Sequence, residues 1–312
     1  MTPEFYSQQY NRYSEFCKNY PGAPLKLIAS GANGGDYNWT ETLMQHISRS
    51  RVWGISMHYY TLAGSWQHKG SATQFGEDEY FKALSAGLQM EDIVNRHSAI
   101  MDRYDPRKRI ALVVDEWGIW TDAEPGTNPA FLYQQNSLRD ALIAASTLNI
   151  FNNHADRIRM ANLAQTVNVL QALVLTDRDR MLLTPTYYVF DLFKVHQDAH
   201  SLAIQVTGPD YGFGGGKVPA VNASASKDSS GAVHISLVNL DPAKKVTVRV
   251  RLGTGSFRSV EGQVLTSGRF NDYNSFEQPD KVKPVAFHGA KKEGDGLAVE
   301  LPPMSVVVLE VR

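Results

Sequence analysis

Residues 113–120 read VVDEWGIW. They continue IALVVD (110–115), an apolar run without alternation, as in a strand buried on both faces. The run ends in two adjacent carboxylates, Asp115 and Glu116, with Trp117 and Trp120 close behind. Successive strand side chains face opposite ways, so Asp115 is expected to point away from the side that Glu116 serves. A strand-end carboxylate among aromatics suits a glycosidase: the sugar's apolar face stacks on an indole while the carboxylate meets an oxocarbenium-like carbon. An acid that pairs with an arginine or caps a helix leaves the same trace. The segment alone leaves both readings open.

Similar strands recur on either side. LKLIAS (25–30) precedes the loop GANGGDYN and a helix from Trp39. VWGISM (52–57) ends in His58-Tyr59-Tyr60, then a long loop leads to a helix over about 77–103. Asn128-Pro129 is expected to start a helix running to about 151, and RIRMANLA (157–164) holds a fourth strand. TPTYYVFDLFKVH (184–196) reads as a closing helix, and VNVLQALVLTDRDRML before it fits strand or helix. An N-terminal helix starts at Thr2-Pro3, carries apolar residues at 5, 6, 10, 13, 16, 17 and 20, and stops at Pro21-Gly22.

Strands alternating with long helices predict parallel βα units, and four are visible. The loops after the strands collect Asn33 and Asp36, then His58 and Tyr60, then Glu116 and Trp117, then Gln165. Polar residues at the carboxyl ends of parallel strands mark the active face of a (β/α)8 barrel, and an open doubly wound sheet also binds there. His58 and Tyr60, two apart on a strand, share a face and suit sugar hydroxyls or a carboxylate, although a satisfied structural histidine is the commoner reading of such a segment taken alone. No strand leads into a GxGxxG or GxxxxGK[ST] loop; YGFGGGKV (211–218) lacks the hydroxyl after Lys217 and reads as a flexible linker. From about residue 201 the grain changes to short alternating strands with turns such as Asp241-Pro242 and Gly294-Asp295-Gly296, the pattern of an antiparallel β-sandwich. Two domains are expected, 1–200 and 201–312.

Composition removes several functions. The net charge is −1, so nothing attracts nucleic acid or an anionic membrane at long range. No run approaches the roughly 20 apolar residues of a membrane span. The nine histidines form no HExxH or short pair and Cys17 stands alone, so no metal or other cofactor is expected. Asp177 and Asp179 in TDRDR read as a solvated turn, and no GxSxG elbow is present. The polar N-terminus is no signal peptide, which with one cysteine points to the cytoplasm.

Taken together, MTPEFY, SGANGGDYNWTETLM, GISMHYYT, VVDEWG, MANLAQTVNVLQALVLTD, LTPTYYVFDLFKVHQ, SLVNLDP and GRFNDYNSFEQPDKVKP cover nearly the whole chain. The sequence resembles the α-L-arabinofuranosidases of glycoside hydrolase family 51. The resemblance implies a (β/α)8 TIM barrel joined to a β-sandwich. It also implies retaining release of terminal arabinofuranosyl groups from arabinan, arabinoxylan or arabino-oligosaccharides. It carries the nucleophile onto Glu116, substrate-side roles onto His58, Tyr60 and Gln165, a wall of the site onto Trp117, and a nearby place onto Asn33. It implies a homo-oligomer in the full-length form.

The same resemblance exposes a departure. The family's acid/base is a Glu in an Asn-Glu motif at the fourth barrel strand, followed by a Gly-rich stretch. Met1-Thr2-Pro3-Glu4 resembles the end of that stretch, which puts the acid/base upstream of residue 1 and makes the four visible units barrel strands five to eight. Glu4 and Glu41 are at helix starts, so neither replaces it. The expectation is a fragment or one partner of a split enzyme that needs a complementing N-terminal half. A non-catalytic remnant that binds furanosides or a partner is the alternative.

Overall fold

The computed structural model describes residues 1–253 and 257–312; Ser256, which opens SFRSVEGQVL, one of the short strands expected after residue 201, lies outside them. In chain order the first elements are α1 (Pro3–Ser14), β1 (Ile28–Asn33), α2 (Tyr37–His46), β2 (Gly54–Thr61), α3 (Glu77–Leu88), α4 (Met90–Tyr104) and β3 (Ala111–Ile119). Next come α5 (Leu138–Asn153), β4 (Ile158–Leu163), β5 (Val174–Asp177), β6 (Arg180–Leu183) and α6 (Pro185–Phe193). The rest is strand: β7 (His200–Leu202), β8 (Asp210–Phe213), β9 (Gly216–Pro219), β10 (Val221–Lys227), β11 (Val233–Asn239), β12 (Val246–Arg251), β13 (Val260–Leu265), β14 (Val285–Ala286), β15 (Ala290–Glu293), β16 (Gly296–Leu301) and β17 (Ser305–Val311). Two compact units share the chain by interleaving: 1–60, 89–117 and 154–163 form the first, and 61–88, 118–153 and 164–312 the second.

The first unit is built on a four-stranded sheet ordered β1-β2-β3-β4, with β1/β2 and β3/β4 parallel. Ala29, Ile55, Met57, Leu112, Val113 and Val114 are all buried, which explains the unbroken apolar runs. Gly31 sits where β1 presses on β2; a Cβ there would lie 1.6 Å from the Ser56 carbonyl oxygen, so only glycine fits. Its amide donates to Ser56 Oγ at 2.9 Å. β1 therefore runs to Asn33, three residues into the stretch expected to be loop. Asp36 caps α2 by accepting from the Trp39 amide. Buried His97 of α4 lies 2.8 Å from the Gly34 carbonyl oxygen and 2.9 Å from Thr40 Oγ1, which ties the β1–α2 loop down.

Three helix expectations need correction. α1 has its Thr2 cap and Pro3 but stops at Ser14, because beyond it the apolar stripe meets nothing: Phe16 and Tyr20 are exposed, and an uncovered stripe gives a helix no reason to continue. The helix over 77–103 is two, parted at Gln89, where the chain passes from the second unit into the first. Asn128-Pro129 starts only one 3-10 turn, which Leu132 ends at φ 53°; α5 begins later, at Leu138.

In the second unit, an antiparallel sheet ordered β14-β13-β17-β11-β10-β7 faces a three-stranded one ordered β12-β16-β15. Leu237, Leu309, Val307, Val299, Leu301 and Phe287 fill the space between. The ambiguous stretch before α6 is the β5–β6 hairpin, with Asp177 and Arg180 paired across its turn at 2.6 Å. YGFGGGKV is also a hairpin, β8–β9, turning at Gly214 and Gly215 with positive φ, and its Tyr211 packs edge-on against Phe81. The linker reading missed this, because Gly-rich turns and linkers share a composition.

The outer face of the larger sheet meets α5 through polar groups. Ser224 and Ser236 both donate to Asn149 Oδ1, at 2.7 and 2.6 Å. His196 bridges Ser226 Oγ at 2.8 Å and Ser236 Oγ at 3.1 Å. Burial, with the nearby His234 charge adding, lowers the His196 pKa to about 4. At the start of α5, Arg139 and Asp140 form a buried pair at 2.8 Å, and the guanidinium lies 3.9 Å from the Phe75 ring centre.

Candidate active site

The first unit brings four of the singled-out residues to the carboxyl ends of its strands. Asn33 ends β1 and is the register partner of His58 on β2, and the Gly34 amide donates to the His58 carbonyl at 2.7 Å. Two residues on, Tyr60 shares the His58 side of the strand, as the period of two requires. Glu116 comes from β3. Tyr60 Oη donates a short hydrogen bond to Glu116 Oε1. Burial first, then the bond to Glu116 and its charge, raises the tyrosine pKa, so the hydroxyl stays a proton donor. His58 Nδ1 lies 3.0 Å from Glu116 Oε2. Each carboxylate oxygen thus has its own partner while the side chain keeps 37% of its surface exposed, so a small molecule can reach it.

Asp115 does not point away. Its Oδ1 lies 3.0 Å from His58 Nε2, on the far side of the same ring that meets Glu116. The cause is a register irregularity: the β3–β4 pairing slips between Val114 and Trp117, and a slipped strand no longer alternates strictly. The pairing also slips between Leu112 and Val113, and period-two reasoning fails at the second of these two irregularities.

Trp117, expected as a wall of the site, is 1% exposed and belongs to the core of the first unit. Gln165 falls in the second unit, exposed, with its amide donating to the Val169 carbonyl at 3.2 Å. The second unit also holds an aromatic pair that sequence reasoning passed over. Trp66, 53% exposed, meets Trp120 edge-on at 5.5 Å, with Lys69 Nζ 5.1 Å from the Trp120 ring. The Asp122 carboxylate accepts from the Lys69 and Gly70 amides at 3.2 and 3.1 Å, and clamps the two loops that carry these rings. Exposed Trp66 in a loop was the available signal. Nothing in the sequence pointed to His97. Among the described residues, no group of three or more His, Cys, Asp or Glu is placed to hold a metal ion. What the arrangement offers is a reachable carboxylate, oriented by a phenol and an imidazole, which suits attack on an electrophilic carbon.

Residues 115–305 match the profile of the α-L-arabinofuranosidase C-terminal domain. An intracellular exo-α-L-arabinofuranosidase of Bacteroides ovatus is 47% identical over 313 residues, an alignment that takes in 100% of this chain and 61% of that protein. The crystal structure of the family 51 arabinofuranosidase from Xanthomonas axonopodis pv. citri superposes with a TM-score of 0.98 at 48% identity, over 100% of this chain and 63% of that one. The family 51 enzyme of Thermotoga petrophila, 22% identical, shares the fold with a TM-score of 0.80 over 63% of its chain. The chain therefore spans somewhat less than two thirds of the length of these relatives.

Proposed function

The chain belongs to the α-L-arabinofuranosidases of glycoside hydrolase family 51, and from that premise we propose that Glu116 is the nucleophile of a retaining hydrolysis of terminal α-L-arabinofuranosyl groups. The observation that carries the reading is the double grip on Glu116, by Tyr60 on one oxygen and His58 on the other. In the first step a Glu116 oxygen attacks the anomeric carbon and the glycosidic C–O bond breaks towards the leaving oxygen. Water then cleaves the glycosyl ester, with net retention. Tyr60 fixes the plane of the carboxylate. Asn33 and Gln165 are proposed to bind sugar hydroxyls, and Trp117 to back the nucleophile from the core. No residue of this chain is assigned the acid/base role, which is typically worth about 10²–10⁴-fold.

The four parallel strands are read as one half of a (β/α)8 barrel, within a barrel part over 1–200 and a sandwich part over 201–312. The substrates are arabinan, arabinoxylan or arabino-oligosaccharides, attacked from their ends, in the cytoplasm. The proposed partners are further copies of the full-length form, in a homo-oligomer, or a complementing N-terminal half. No helix among the described residues is long and apolar enough to cross a membrane.

An activated aryl α-L-arabinofuranoside tests the nucleophile, because its leaving group departs without a proton. Where no acid/base assists the second step, the glycosyl ester should accumulate. Peptide mapping by mass spectrometry should find it on Glu116, and Glu116→Gln should abolish it. A folded chain that acquires no adduct, or one on another residue, sinks the assignment.

A further inference from the structure

We propose that Asp115 is a positioning residue of this site: its carboxylate holds the His58 ring through Nε2 and so presents Nδ1, as a proton donor, to Glu116. The inference rests on the reading of Glu116 as nucleophile and deepens it. Three observations carry it. The two carboxylates stand on opposite nitrogens of one imidazole, each at 3.0 Å. The Asp115 Oδ1 is itself buried and has no hydrogen bond of good geometry, so the ring nitrogen beside it is the donor at hand for an oxygen that is costly to leave unserved. And the slip in β3 between Val114 and Trp117 turns the two adjacent acids to the same ring, an arrangement that a regular strand does not give.

Imidazole serves a carboxylate on each side only by donating from both nitrogens. That form carries a positive charge. Before reaction, Asp115 and Glu116 balance it together with one negative charge in excess. When Glu116 attacks, its charge passes into the glycosyl ester while positive charge builds on the anomeric carbon. His58 would then face that carbon as an uncompensated cation. Asp115 cancels it throughout, and holds the ring in place while its other partner changes. The arrangement assigns the pair of acids two roles: one reacts and the other keeps the histidine harmless and aligned.

The test uses the full chain with 15N-labelled histidine and an activated aryl α-L-arabinofuranoside. In the parent protein both His58 nitrogens should resonate as protonated. In Asp115→Asn, which keeps size and shape, the Nε2 signal should shift. Adduct formation on Glu116 should slow roughly 10- to 100-fold, the range that applies when the carboxylate orienting a metal-bound histidine is removed. The half-saturating substrate concentration should hold steady, because Asp115 touches no substrate. Asp115→Asn in a His58→Gln background should cost little more than His58→Gln alone, since residues acting through one another are not additive. An unchanged histidine spectrum, an unchanged adduct rate, or fully additive losses would each overturn the proposal. A parent chain that forms no adduct overturns the Glu116 reading, and with it the catalytic meaning of Asp115. The histidine spectrum alone decides whether the contact exists.

Discussion

His196 is half-buried against the larger sheet, where it bridges Ser226 and Ser236, and its pKa lies near 4 against the usual 6.5. Replacing it isolates how stability follows pH. The unfolded chain takes up a proton on this ring below pH 6.5, whereas the folded protein resists until about 4. Stability from this group is therefore whole above 6.5, falls as the pH drops, and is fully lost below about 4. The gap of about 2.5 pH units, at about 1.4 kcal/mol each, gives a total near 3 kcal/mol. Most of it lies in an accessible window: between pH 7 and pH 5 the same two pKa values give a loss of about 2 kcal/mol. Carboxylates also begin to titrate there, and His97, lowered by burial, acts in the same direction. Both contributions persist in a His196→Gln variant, whose amide still offers a donor and an acceptor to Ser226 and Ser236. Urea unfolding of the two proteins at pH 7, 6 and 5 is the assay. The parent should lose about 2 kcal/mol more than the variant across that range. Equal losses would refute a neutral, half-buried His196, and so the account of the serine network around it.

Three further outcomes are expected. Tyr60→Phe removes a hydrogen bond to a charged oxygen, worth about 1.5–3 kcal/mol, and should slow adduct formation on Glu116 about 10- to 100-fold with unchanged far-ultraviolet circular dichroism. Asp140→Ala leaves the Arg139 guanidinium buried without its carboxylate and should cost about 3–5 kcal/mol in a denaturant titration; a loss under 1 kcal/mol would mean the pair is wetter than it looks. Gly31→Ala forces a methyl group to 1.6 Å from the Ser56 carbonyl, so the chain should fail to accumulate in soluble form, while Gly268→Ala, with open space around it, should still express.

Much of this was legible beforehand. The strand at 110–115 announced itself by unbroken apolar residues, and the alternation in Val246–Arg251 announced a sheet with one covered face. His58 and Tyr60 were placed together because a regular strand obliges residues two apart to agree. Each failure has a physical source. α1 was overextended because periodicity reports a stripe, not whether anything covers it, and Phe16 is uncovered. Asp115 was turned the wrong way because alternation holds only where register holds. Trp117 beside an acid looked like a sugar platform, yet burial belongs to the packed whole and has no local signature. His97 acts on Gly34 across 63 residues, a distance over which no motif speaks.

The interleaving of the two units has a consequence for how the chain comes to be folded. The first unit draws on 1–60, 89–117 and 154–163, so its last strand is not on hand until more than half of the chain has been made. During synthesis β1, β2 and β3 must wait for β4, with apolar strands in reach of other chains. Contacts this distant in sequence also close slowly. Production of the protein should therefore respond more to chaperone supply and to the pace of translation through 118–163 than its folded stability would suggest. A cut in the 61–88 segment would also not free the first unit as one continuous piece.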